Sequence, residues 1–432
     1  SSKFAKDHRY AFFPSVSAAW RISEENFWQP LKGWWNDMKI RGSYGSLGNQ
    51  VMDDLGNFPY LATYGTNSSY NYLINGSKPV IVKAPGLVAP DFTWETVTQM
   101  DFGFDASFLN NRLTGTFDWY RRNTKDMLVA GATLPATLGA SVPKSNSADM
   151  KTIGWELSLG WNDRLENGFS YWVKGVLSDY QATITKYAGN DAGFYSQSDG
   201  DGKYYVGQKI GEIWGYHSNG LFQSDDEAAT IDQSELYAGK WGAGDVKYED
   251  LDNDGKITKG EETIYNPGDK SIIGNKTPRY QFGITVGFDY KNFDFEMFWQ
   301  GTGKRDYMLS GAQFWGFTSQ WDVPYTPALD YWTETNTDAY FPRPGWQNGG
   351  NRVTSDRYLQ SAAYGRLKNL TVGYTIPKNL TTKWGISRLR LYVTGENLLT
   401  ITPLNDAFDP ETLGGMTYPI NRKVAIGLNL TL

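Results

Sequence analysis

Cysteine is absent from this sequence, and histidine occurs only at His8 and His217. Without cysteine there is no disulfide scaffold, no thiolate zinc site and no cysteine nucleophile. Two histidines leave little material for a Ser–His–Asp triad or a His-rich metal site. Positive charge is not in excess either: 41 Lys and Arg stand against 47 Asp and Glu, a net charge of −6. A nucleic-acid binder would carry a basic stripe or patch, so that class is set aside. No apolar run approaches the ~18 residues of a membrane-crossing helix. No basic, apolar, small-residue leader opens the chain, so no signal peptide is expected in it.

What the 432 residues do contain is 17 Trp, 28 Tyr and 22 Phe, with 47 glycines. Their dominant order is a period of two. In YQFGITVGFDY, Tyr280, Phe282, Ile284, Val286, Phe288 and Tyr290 share one face, while Gln281, Thr285 and Asp289 take the other. After Lys291-Asn292 the alternation restarts with Phe293, Phe295, Met297 and Trp299, which predicts a hairpin with a two-residue turn. The same pattern recurs in eleven segments: 10–21, 37–48, 93–109, 112–129, 149–163, 169–187, 279–290, 293–303, 358–376, 388–397 and 421–432.

Between these segments short and long connections alternate without exception. The short ones are 22–36, 110–111, 164–168, 291–292 and 377–387; the long ones are 49–92, 130–148, 188–278, 304–357 and 398–420. Consecutive antiparallel strands place successive connections at opposite ends, so one end has tight turns and the other most of the loop mass. Outer-membrane barrels have this asymmetry, with short periplasmic turns and long extracellular loops. The expected fold is therefore all-β, a transmembrane antiparallel up-and-down barrel wall. A soluble sandwich or propeller also alternates, but does not sort its loops by length to one side. Eleven strands are odd in number, and as an isolated sheet would leave two unpaired edges. The chain is accordingly expected to be the C-terminal portion of a longer protein that supplies the missing strands.

Several blocks in consistent order resemble the SusC/RagA-like family of TonB-dependent outer-membrane transporters of Bacteroidetes-type bacteria. They are HRYAFFPSVSAAWRISEE, WWNDMKIRGSYGSLGNQ, WETVTQMDFGFDASFLNNRLTGTFDWYRRNTKDML and GQKIGEIWGYHSNGLFQSDDEA, followed by GDVKYEDLDNDGKITKGEETIYNPGDKSIIGNKTPRYQFGITVGFDY, AAYGRLKNLTVGYTIP and LRLYVTGENLLTIT. The resemblance implies a 22-stranded barrel with residues 1–432 as its C-terminal half, the plug and the first barrel half lying elsewhere. It further implies outer-membrane lipid around the wall, TonB coupling through the missing N-terminal region, and a SusD-like surface lipoprotein as lid. The cargo would be an oligosaccharide or a peptide. Two alternatives stand beside this: a secreted β-rich glycan-binding or adhesin module, and a siderophore-type receptor without a lid.

The sharpest local motif is DLDNDGKITKGE, inside the large 188–278 loop. Asp250, Asp252 and Asp254 stand at positions 1, 3 and 5, with Gly255 at 6, Lys256 at 7, Thr258 at 9 and Glu261 at 12. That is the spacing of a calcium loop, in which Lys256 would offer only its carbonyl and Glu261 would close the site as a bidentate ligand. The alternative is an acidic turn without metal. Ca²⁺ is the one cofactor the sequence suggests.

The long loops are also rich in aromatics, which stack on sugar rings or peptide side chains, or pack loops and partner interfaces. The candidate substrate- or partner-binding residues are Trp214, Tyr216, Phe314, Trp315, Phe317, Trp321 and Trp332, with Tyr60, Tyr64, Tyr70, Tyr72, Tyr325, Tyr331 and Trp346 as further members. Trp20, Trp28, Trp34, Trp35, Trp161, Trp172 and Trp384, near the short turns, suit an aromatic girdle. Asp101, Asp105, Asp118, Glu156, Asp289, Asp294 and Glu296 fall on the polar face at nearly every strand, as a wetted lumen requires. No pair among them stands out for glycoside hydrolysis. No catalytic residue is assigned, and the chain is not expected to be an enzyme.

Overall fold

The computed structural model describes the chain except for residues 51–57, 68–72, 75, 84, 90, 132–134, 136, 138, 140–141, 196–203, 238–239, 346–347 and 414–417. Eleven strands form one antiparallel sheet in strict chain order. They are β1 (Ser15–Trp20), β2 (Trp35–Asn49), β3 (Glu95–Phe108), β4 (Leu113–Ala130), β5 (Lys144–Arg164), β6 (Ser170–Tyr187), β7 (Arg279–Tyr290), β8 (Phe293–Lys304), β9 (Tyr364–Thr375), β10 (Arg388–Ile401) and β11 (Lys423–Thr431). All eleven expected strands are present, and the alternation of short and long connections holds.

Several boundaries differ from expectation: the strand expected at 149–163 begins at Lys144, that at 388–397 runs on to Ile401, and two more have a local cause. β1 begins only after Pro14, whose nitrogen has no hydrogen to give to a ladder. The segment 358–376 is not one strand: Leu359–Ser361 pairs instead with Asp306–Met308, and β9 starts at Tyr364. Between them Ala362 donates its N–H to the Arg305 carbonyl, outside the main ladder.

Register explains why the two faces differ. Ile40, Phe104, Phe117, Leu157, Leu177 and Phe282 lie opposite one another in one row across six strands, all on the apolar face. One residue along, Gly103, Asp118, Glu156, Ser178 and Gln281 form a polar row on the other face. The apolar face has no protein layer over it at its far edge: Val424 and Ile426 are 70% and 84% exposed. On the polar face Arg41 gathers three acids. Its Nη1 lies 2.6 Å from Asp118 Oδ1, its Nε 3.3 Å from Asp105 Oδ2, and Asp101 is 4.0 Å away. Gly103 leaves room for this cluster, since a Cβ there would collide with the Asp118 carboxylate. Further round, Arg390 grips Asp294 with two guanidinium nitrogens.

The turns at one end are tight. Tyr290 pairs directly with Phe293, so Lys291-Asn292 is the two-residue turn expected, with Lys291 at φ 54°. Leu109, Asn110 and Asn111 all have left-handed φ, and the Asn36 side chain accepts the N–H groups of Asn110 and Asn111. The connection between β1 and β2 is a pair of 3-10 turns, Ile22–Glu24 and Asn26–Leu31. Trp28 there is buried, its indole N–H donating to the Trp35 carbonyl and its ring edge-on to Trp35 at 4.6 Å. It packs the turn, whereas Trp20, Trp34 and Trp384 remain exposed.

The hydrophobic core is at the opposite end, and it is made of loops. Segments 188–278, 305–363 and 402–422 bury Tyr216, Tyr248, Phe314, Phe341, Tyr358, Leu309, Leu404 and Leu413 in one cluster. Three small antiparallel pairs brace it: Glu212–Tyr216 with Lys270–Asn275, Ser218–Leu221 with Val246–Tyr248, and Asp306–Met308 with Leu359–Ser361. The long loops thus fold into a cap. A smaller cluster holds Phe4 and Phe92, with Tyr60 and Trp94 packed against them.

Candidate functional site

The cap is locked by buried polar groups. Asp245, fully buried, accepts hydrogen bonds from Arg343 Nε at 2.9 Å, Asn351 Nδ2 at 2.8 Å, Gly242 N at 3.0 Å and Asn348 Nδ2 at 3.1 Å. It thereby ties the loop after β6 to the loop after β8. Arg366 and Lys368 of β9 hold the loop after β10, through Asp409 and Glu411 at 2.6–3.1 Å. Asp245 lies in the GDVKYED block, but only its burial in the packed loops shows this role, and the half-buried Asp409 and Glu411 lie outside every block quoted above.

The candidate aromatics divide by this packing. Phe314 is 1% and Tyr216 2% exposed, so both belong to the cap's core. Trp315 stands edge-on to Tyr358 at 4.6 Å, and Tyr331 and Trp332 pack against the same cluster. Phe317 and Trp315 border a crevice of about 30 Å³, a volume of one or two waters. Trp321 is 83% exposed, on a turn whose Asp322 carboxylate accepts Thr318 N and Ser319 N, both at 2.7 Å. The Thr318 hydroxyl and these N–H groups hold the Asp322 carboxyl below its ordinary value. Tyr64 and Tyr325 are exposed. Tyr70, Tyr72 and Trp346 lie outside the described residues.

Trp214 leads to a cleft of about 640 Å³ in the cap, within the ~300–1,000 Å³ usual for small-ligand sites. Its wall is the stacked pair Tyr195–Trp214, centroids 4.2 Å apart and 11° between planes. Tyr216, Ile213, Leu236, Met308 and Val353 continue the apolar lining, and Lys259, Lys270, Lys276, Arg352, Glu212 and Glu262 supply charge. Lys270 lies 2.8 Å from Glu262 and stands over the rings of Tyr216 and Tyr195 at 5.4 and 5.8 Å. Burial, with the Glu262 charge, pushes the Tyr195 phenol up to about 12; burial raises Tyr216 further. Both hydroxyls therefore stay protonated, as donors.

The calcium-type loop is partly assembled. Asp250, Asp252 and Asp254 offer carboxylate oxygens all within 4.8 Å of one another. Asp250 accepts the N–H groups of Gly255 and Asn253 at 2.7 Å; burial raises its carboxyl but these bonds outweigh it and leave it low. Asp252 is held above its ordinary value by desolvation and the Asp254 charge. Glu261 is not part of this cluster. Its N–H donates to the Asn266 carbonyl, in a turn that follows the pairing of Ile257 with Asp232. Thr258 N donates to buried Asp269 at 2.7 Å, as does Leu251 N, so Asp269 closes the loop. It is a residue that the twelve-residue motif does not include.

His217 makes a chain that sequence spacing could not reveal: Nδ1 lies 2.8 Å from Asp356 Oδ2 and Nε2 2.7 Å from Ser271 Oγ. The order of atoms is that of a Ser–His–Asp relay. Ser271, however, does not line the cleft, so the chain serves to join Lys270–Asn275 to the 353–358 segment.

A strand meander with an apolar and an acidic face, tight turns at one end and a loop cap at the other has close counterparts among known proteins. TonB-dependent receptor P3 of Formosa agariphila is 30% identical over 470 residues, covering all of this chain and 43% of that receptor. TonB-dependent receptor SusC of Bacteroides thetaiotaomicron is 27% identical, again over the whole chain and 41% of its own length. The chain thus spans less than half of the curated relatives it matches. The RagAB peptide transporter has the same fold over 99% of this chain and 44% of its own, with TM-score 0.77 and 22% identity. Residues 1–398 match the model described as TonB dependent receptor-like, beta-barrel, and to that family this chain belongs.

Proposed function

We propose that this chain forms the C-terminal half of the wall and much of the extracellular cap of an outer-membrane importer, which takes up oligosaccharides or peptides with a SusD-like lipoprotein and TonB. The observation that carries this reading is the sorting of the sheet: one face apolar and uncovered at Val424 and Ile426, the other lined with Arg41, Asp101, Asp105, Asp118 and Glu156, all large loops at one end. Such a wall suits lipid outside and water inside. The exposed Trp20, Trp34 and Trp384 suit the interface at the short-turn end. Likeness to SusC and to RagAB, a peptide transporter by name, supports uptake as the task. Trp321, Tyr325, Tyr265 and Tyr418 on the cap, and Tyr64 in the 49–92 loop, are exposed aromatics free to meet a lid or cargo. The Asp250–Asp254 turn is proposed to hold Ca²⁺ as a brace of the cap, its three carboxylates being already convergent.

The test is a deletion strain complemented with the intact protein. It should migrate heat-modifiably from the outer-membrane fraction, copurify a surface lipoprotein, and restore growth on an oligosaccharide or peptide too large for porins. Recovery in the soluble fraction without detergent would favour the secreted binding module instead and refute the importer.

A further inference from the structure

We propose that the cleft between Tyr195, Trp214 and Tyr216 is a binding site for a ligand that carries a carboxylate beside a flat or aliphatic body. The inference does not rest on import, because it concerns what the cap binds, whatever the barrel transports.

Three observations carry it. First, the Tyr216 hydroxyl is buried and has no hydrogen-bond partner among the described residues, although the residue is only 2% exposed and lines the cleft. A buried, unsatisfied hydroxyl is costly, and a ligand acceptor would remove that cost. Second, the acids of the cleft are already engaged, while one of its cations has no acid to pair with. Glu262 is paired with Lys270, and Glu212 accepts the Tyr205 hydroxyl and the Lys209 N–H. Lys259 is paired with Glu235 and Lys270 with Glu262, and Arg352 donates to the Phe317 carbonyl, which leaves Lys276 as the cation of the cleft without an acidic partner among the described residues. An entering group therefore meets the Lys276 ammonium and the Tyr216 hydroxyl, a cation and a donor that select an anionic acceptor. Third, one wall of the cleft is flat and aromatic, built from the Tyr195–Trp214 stack, with the Lys270 ammonium 5.8 Å from the Tyr195 ring centre. Such a surface takes the face of a ring. A volume of about 640 Å³ has room for the terminal residues of a sugar acid or of a peptide carboxyl end.

Carboxylate chemistry is common to both sources, and the experiment separates them. The intact protein in detergent is titrated by calorimetry with trigalacturonate and with the tripeptide Gly-Gly-Trp, each against its methyl ester or amide. The expected result is saturable binding of one acid, with its neutral form about tenfold weaker or worse, as for loss of a charged hydrogen bond. Lys276→Gln should weaken that acid by a similar factor. Tyr216→Phe, which keeps the packed ring and removes only the hydroxyl, should weaken it several-fold while leaving thermal unfolding unchanged. Trigalacturonate as the binder assigns a sugar acid; Gly-Gly-Trp assigns a peptide terminus. Equal binding of acid and neutral form, indifference to both substitutions, or no saturable binding of either acid overturns the proposal. None of these outcomes touches outer-membrane fractionation or uptake, so the importer reading fails or stands separately.

Discussion

The buried carboxylate of Asp245 offers the strongest lever on the cap, because removing it unpairs two loops at once. Asp245→Ala strands Arg343 and deprives Asn348, Asn351 and the Gly242 N–H of their acceptor. Breaking a buried ion pair costs about 3–5 kcal/mol. The Arg343 side chain is 37% exposed and recovers part of that in water, while each neutral donor loses about 1 kcal/mol. A loss of roughly 3 kcal/mol follows, which raises the population of the opened cap a little over a hundredfold. Hydrogen exchange followed by mass spectrometry reads this directly. Amides of Asp245, Val246 and Asn351 should exchange about a hundred times faster, while those of β4 and β5 keep the wild-type rate. Asp245→Asn, which retains an acceptor and loses the charge, should fall between. If exchange in the cap changes less than threefold, or if the wall accelerates equally, the cap is not an independently opening unit held by this residue.

Other outcomes follow from the same structure. Phe314→Ala removes an aromatic from the middle of the cap core and should cost about 3–5 kcal/mol of cap stability, seen as faster protease nicking in 305–363. Millimolar Ca²⁺ should slow cleavage within 250–262, and Asp252→Ala should abolish that protection; no protection in the wild type would leave the turn metal-free. Arg41→Ala leaves Asp101, Asp105 and Asp118 without their shared cation and should lower the temperature of heat-modifiable gel migration, by about 2 kcal/mol of wall stability. Asp322 has a depressed carboxyl, so its stabilising contribution is complete above the ordinary carboxylate value and lost as pH falls through the lower folded one. Exchange at Ser319 and Asp322 should therefore accelerate only below about pH 4, and Asp322→Asn should make it fast at every pH.

The wall was almost wholly legible in the sequence, because alternation of Phe, Ile and Leu with Asp, Thr and Gly reports directly which face each residue takes. The Lys291-Asn292 turn and the sorting of loops by length came from the same reading. The exception at 358–376 has a local cause: alternation runs through Ala362-Ala363 unbroken, yet Leu359–Ser361 has a different partner, and pairing is not written in periodicity. The cap was much less legible. Aromatics in loops have no period, so Phe314 in a core and Trp321 in water look alike along the chain. Asp250, Asp252 and Asp254 were readable since their contacts are within six residues, whereas Glu261 turned away with the strand-like pairing of Ile257. The His217 chain joins residues 54 and 139 positions apart, a distance no motif spans.

Since one apolar nucleus is shared by the segments after β6, β8 and β10, a change of side-chain volume in any one of them must be absorbed by the other two. A graft of one of them from a relative would arrive without its complementary surfaces, so the cap is transplantable only as a trio.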